Sequence, residues 1–110
     1  FDVRNLPNPY YDPQLRPLTG LDAPVADYLA QFENVREMIA DIEKFLTKWL
    51  PSYEAQNRHY LTIAIGCTGG QHRSVVLAEQ TAKILKEEDY NVSVYHRDIA
   101  LADTEKAATK

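Results

Sequence analysis

The sequence predicts an α/β fold: one domain with a small, mostly parallel sheet and flanking helices. Three observations carry that expectation. The run Leu61-Thr-Ile-Ala-Ile65 is apolar and rich in β-branched residues, as a buried strand is. It breaks at Gly66, Gly69 and Gly70, and a helical pattern takes over near His72. After that helix, residues 91–96 (NVSVYH) alternate again, with Val92, Val94 and His96 on one face. Strand, helix and strand with short links make a βαβ unit. Its crossover is expected to be right-handed and its two strands parallel.

The elements follow in chain order. Residues 1–22 are read as a short strand, Phe1 to Leu6, followed by a proline-rich arm. Pro7, Pro9, Pro13 and Pro17 exclude helix and central strand from the arm. Residues 23–51 are read as two helices. Asp22 is the expected N-cap of the first, with Pro24 in its first turn. Asn34 is the expected cap of the second, and Pro51 its stop. Between them Val35, Met38, Ile39, Ile42, Phe45, Leu46, Trp49 and Leu50 form a stripe of helical period that reads as core. Residues 60–97 are the strand, loop, helix and strand, the helix spanning about His72 to Glu87 and burying Leu77, Thr81, Ile84 and Leu85. Residues 98–110 read as an Ala-rich polar tail.

Bulk properties narrow the function. The 110 residues carry 45% hydrophobic and 25% charged residues, an ordinary globular balance. A net charge of −4 does not favour nucleic acid over the surface as a whole. The single cysteine permits no internal disulfide, so a reducing cytoplasm is the expected setting. No apolar run approaches a membrane span and no metal cluster is apparent. Starting at Phe1 without Met, the chain reads as a domain of a longer protein.

The chemistry concentrates where the strand turns into the helix. Amides at a helix N-terminus, with the helix dipole behind them, suit an anion and above all a phosphate. Thr68, Gly69, Gly70, His72, Arg73 and Ser74 make that seat: glycines for the turn, hydroxyls at Thr68 and Ser74, a guanidinium fork at Arg73 and a titratable donor at His72. If the first strand is parallel to its neighbour, Asp2, Arg4, Asn8 and Tyr10 arrive at the same rim and can take sugar hydroxyls. The Walker A pattern fails here, because Gln71 stands where its second glycine would, followed by His72 and Arg73. Cys67-x5-Arg73-Ser74 does fit the cysteine-phosphatase signature, which makes Cys67 a candidate nucleophile, although no general acid beyond Asp12 or Asp22 offers itself. A third reading is RNA binding through Arg58, His59, His72, Arg73, His96 and Arg97.

These blocks in order, DVR at 2–4, LPNP at 6–9, LRPLTGLD at 15–22 and IGCTGGQHRSV at 65–75, resemble the C-terminal domain of the RapZ/YvcJ family. That resemblance implies an α/β domain that senses glucosamine-6-phosphate and, in some members, binds small RNA. It implies dimers within larger oligomers. It implies an N-terminal P-loop domain, absent from this fragment, that would bind and hydrolyse ATP and GTP; this fragment itself would hold no cofactor and do no catalysis. Carried over by motif, the ligand contacts are Asp2, Thr68, Gly69, His72 and Arg73. Tyr10 stands where the RNA-adaptor members have His, and the end of this chain lacks their Lys/Arg run. Tyr10 bears on which ligand is bound, the tail bears on the RNA-adaptor role, and the sequence looks more like a Gram-positive member. The expected function is a sensor of a phosphorylated amino sugar, with RNA adaptor and phosphatase as alternatives.

Overall fold

Three helices enclose the core. The computed structural model describes residues 1–56 and 60–99. A 3₁₀ turn at Pro9–Tyr11 is followed by α1 (Ala23–Ala30), α2 (Glu33–Glu54) and α3 (Arg73–Glu87). Each helix packs on the other two, and the 3₁₀ turn packs on α1. Val25 and Leu29 of α1, Val35, Ile42, Leu46 and Leu50 of α2, and Val76, Leu77 and Leu85 of α3 meet in one cluster. Val3, Leu6 and Leu15 of the N-terminal arm complete it.

The expected mostly parallel sheet does not form. Among the described residues there is no strand. The one β-bridge is isolated and parallel, between Asp2 and Gly66. Val3 N donates to Gly66 O at 2.9 Å and Gly66 N donates to Phe1 O at 2.8 Å. The pairing cannot lengthen: the arm turns at once, with Leu6 N bonded back to Val3 O, and Pro7 and Pro9 bring no N–H. Residues 60–65 belong to no helix or strand, with Ile63 and Ile65 against the core while Leu61, Thr62 and Ala64 face solvent. Residues 91–95 likewise belong to no helix or strand, and the two segments do not pair. Both line a cavity of about 300 Å³, together with the end of α2 and the face of α3 carrying Thr81 and Leu85. At 61–65 the alternation reported which side chains turn inward and not where the backbone bonds; at 92–96 it failed for Val94, which is 37% exposed. The expected βαβ unit is therefore absent from the described residues.

Two helix boundaries also differ from expectation. α2 starts at Glu33 with Phe32 as its cap, not after Asn34, and it runs through Pro51 to Glu54. Proline cannot donate to the carbonyl one turn earlier. Ser52 Oγ donates to Trp49 O at 2.7 Å, Ala55 N donates to Pro51 O at 3.0 Å, and the helix continues past the proline. Phe45 and Trp49 belong to the helical stripe but stay about half exposed, at 51% and 44%. Phe45 meets the Phe1 ring edge-on at 5.5 Å, and Lys48 lies over Trp49. Asp22 does cap α1 by position, but its carboxylate accepts from Thr19 N at 2.8 Å and makes no helix-cap bond.

The arm is held to α3 through Gly20. Its N–H donates to Gln71 O at 2.7 Å. A methyl group at Gly20 would lie 2.7 Å from His72 O and 2.7 Å from Val75 Cβ. Both are parts of the α3 N-terminus that cannot swing aside. Gly20→Ala is therefore expected to destabilise the domain by about 1–3 kcal/mol, the usual cost of overpacking. Gly66→Ala, whose added methyl meets nothing within 4 Å, should be nearly neutral. Denaturant unfolding of the two variants side by side checks the contrast.

Candidate anion-binding site

Residues 66–72 carry the chain from residues 60–65 into α3. Gly69 and Gly70 hold φ of 82° and 65°, the left-handed region where a side chain is strained. Two such residues in succession turn the chain sharply into the helix. The N–H groups of Thr68, Gly69, Gly70, Gln71, His72 and Arg73 donate to no acceptor among the described residues. The next amide is different. Ser74 N donates to Cys67 Sγ at 3.3 Å, so the thiol caps the first turn of α3 and Ser74 brings no amide to the seat.

Arg73 turns inward. It is only 4% exposed, and Nη1 donates to the carbonyls of Arg4 at 2.6 Å and Leu6 at 3.1 Å. This clamps the first residues of the arm to the start of α3. The other edge of the guanidinium, Nε with Nη2, donates to no described atom, and Nε is fully buried. That edge is the one that grips a carboxylate or phosphate in two parallel bonds. His72, 6% exposed, likewise buries Nε2 without a partner. A buried donor or acceptor with no partner costs about 1–3 kcal/mol, so two at one helix start call for an explanation.

The other expected site residues serve more local ends. Asp2 and Arg4 form an exposed pair at 2.6 Å. Asn8 accepts from Tyr10 N at 3.1 Å and so caps the 3₁₀ turn. Tyr10 is half exposed, with the Arg16 guanidinium 4.7 Å from its ring centre. Thr68 and Gly69 are exposed on the loop. Of the RNA candidates, His96 Nε2 lies 2.7 Å from Glu79 Oε1 and Arg97 Nε lies 3.4 Å from Asp98 Oδ1. Arg58 and His59 lie outside the described residues, as do the tail residues from 100 onward. No group of His, Cys, Asp and Glu among the described residues could hold a metal ion. No described helix is long and apolar enough to cross a membrane.

Known proteins share this pattern. The family model described as the RapZ C-terminal domain matches residues 1–100. The chain belongs to the RapZ C-terminal domain family. It is 65% identical over 98 residues to a nucleotide-binding protein of Paraburkholderia phytofirmans, covering 89% of this chain and 33% of that protein. It is 58% identical over 100 residues to one of Pseudomonas fluorescens, covering 91% and 35%. A nucleotide-binding protein of Neisseria meningitidis is 60% identical over 97 residues, covering 88% and 34%. The chain thus spans about a third of the length of these relatives. All three organisms are Gram-negative, which corrects the Gram-positive placement expected from the sequence.

Within this RapZ C-terminal domain, sequence reasoning overlooked two neighbours of the loop. Gly20 is one, and its signal was a glycine inside the LTGLD block. Asp98 is the other. Its carboxylate lies so close to Gly70 that a methyl group there would overlap it, with Cγ 3.2 Å away. Nothing in its spacing marked it, because it follows residues 91–95 by topology alone.

The Asp2–Arg4 pair has a pH signature. The Arg4 side-chain hydrogen bonds, then the Arg4 N–H, lower the Asp2 carboxyl from 3.8 to about 2. A depressed carboxyl stabilises the folded state above its unfolded pKa, and the contribution is lost as pH falls from about 4 through 2. The Asp2 carboxyl carbon should therefore titrate by NMR with a midpoint near 2. In Arg4→Ala the midpoint should return toward 3.8.

Proposed function

We propose that the loop from Cys67 to Arg73 binds a phosphorylated amino sugar of the glucosamine-6-phosphate type, or a related anion. On this reading the domain is the metabolite sensor of a RapZ/YvcJ-type regulatory nucleotide-binding protein. The observation that carries the reading is the Arg73 guanidinium at the start of α3: buried, fixed to the arm by Nη1, and unpartnered along Nε and Nη2, with six loop amides before it that donate to no described acceptor. Charge-assisted bonds of that kind are the strong ones. Family membership supports it. ATP and GTP would belong to the parts of the longer relatives that this chain does not span. A homodimer or higher oligomer in the cytoplasm is the setting the family resemblance implies.

The rival readings draw less support from the geometry. For RNA, His96 and Arg97 already face carboxylates, and the chain is acidic. For a phosphatase, Cys67 already accepts the Ser74 amide and the Arg73 Nη1 end is tied to the arm. Asp12 and Asp22, the candidate acids, each accept a local backbone N–H.

Calorimetry decides the matter. Glucosamine-6-phosphate and inorganic phosphate should both bind. Arg73→Lys keeps the charge but loses the fork, and should weaken binding roughly tenfold or more. A thermal melt of the variant shows whether the domain still folds. Absence of binding by both ligands to the folded parent would refute the reading.

A further inference from the structure

We propose that Asp98 determines which phosphorylated compounds the loop accepts, by standing as a fixed negative charge beside the seat. The proposal rests on the anion-binding reading above. Three observations carry it. The Asp98 carboxylate lies against Gly70, and only the missing side chain there makes room for it. Its two oxygens differ. Oδ1 is 3.4 Å from Arg97 Nε, on a side chain 81% exposed, so water and salt screen that pair. Oδ2, the oxygen nearest Gly70, accepts no hydrogen bond from a described residue. The segment is also anchored. His96, two residues earlier, keeps its side chain only 12% exposed and meets Glu79 of α3 at 2.7 Å. Residues 97–99 then enter a helical turn. The carboxylate is thereby delivered to the glycine loop and held there.

A fixed anion beside an anion seat acts as a filter. A bare phosphate gains the amides and the Arg73 fork but meets the like charge of Asp98. A phosphate whose own molecule also carries an ammonium group can offer that cation to the carboxylate and turn repulsion into a second ion pair. Specificity then comes as much from what Asp98 rejects as from what it attracts. The ligand class implied is a phosphorylated amine, preferred over the same phosphate with a hydroxyl in the amine's place.

Glucosamine-6-phosphate and glucose-6-phosphate differ in just that group, and inorganic phosphate carries neither. Calorimetry on the 110-residue chain should give the amino sugar an advantage of roughly tenfold over glucose-6-phosphate. In Asp98→Asn, close in shape and without the charge, the ratio should fall to near one, and inorganic phosphate should bind several-fold tighter. Equal melting temperatures show that the loop is intact. An unchanged ratio in a folded Asp98→Asn protein, or a parent that binds both sugars equally, overturns the filter and leaves the anion seat standing. A parent that binds none of the three overturns the seat, and the filter with it.

Discussion

The guanidinium of Arg73 joins two parts of the chain that, among the described residues, share no other polar side-chain contact across that distance. Nη1 holds the carbonyls of Arg4 and Leu6, sixty-nine and sixty-seven residues away in sequence. The backbone bridge at Asp2 and Gly66 lies beside it. Together they fix the start of the arm against the start of α3. Val3 and Leu6 then enter the core at 0% and 4% exposure, and Gly20 comes close enough to bond Gln71. Burying a cation is costly unless its donors are satisfied, and here only part of the group is satisfied from within the chain. Fold and candidate site are therefore built from one side chain, through its two opposite edges.

The sequence made the helices readable because their signal is burial of one face. α3 came within a residue of the expected start, and Leu77, Thr81 and Leu85 are buried as the 3.6 period requires. α1 began where Asp22 and Pro24 placed it. The sheet was misread for the same reason. Ile63 and Ile65 alternate with exposed neighbours, as in a strand, but alternation describes side chains and says nothing of a backbone partner. The partner depends on geometry that prolines at 7 and 9 cut short. Pro51 misled in the other direction. It sits in the last turn of α2, where losing one N–H donor leaves the other helix bonds in place.

The candidate site was legible where it is local in sequence. Glycines at 69 and 70 do adopt left-handed angles, and the loop amides do lead into α3. What the sequence could not give was direction. Arg73 was expected to face a ligand with its whole fork, and one end faces the arm instead. Ser74 was expected to lend a hydroxyl to the seat, and what the structure shows of it is an amide bonded to the Cys67 thiol. Asn8 and Tyr10 were expected at the rim, yet their bonds are with their own neighbours. Side-chain direction depends on long-range packing, which no local pattern encodes.

An acidic chain is not thereby a poor host for anions. Its net charge of −4 is spread over the surface, and at physiological salt charges beyond about 8 Å are largely screened. What a bound group would feel is therefore the nearby set of charges and dipoles, not the net charge of the chain. The Asp2–Arg4 pair cancels itself at short range. Water screens poorly at the Arg73 Nε, which is buried, and well at Arg97, which is exposed. The balance of local charge is thus set by burial more than by count. A buried charge is screened less than the acidic residues scattered over solvated helix faces, so position matters here as well as count.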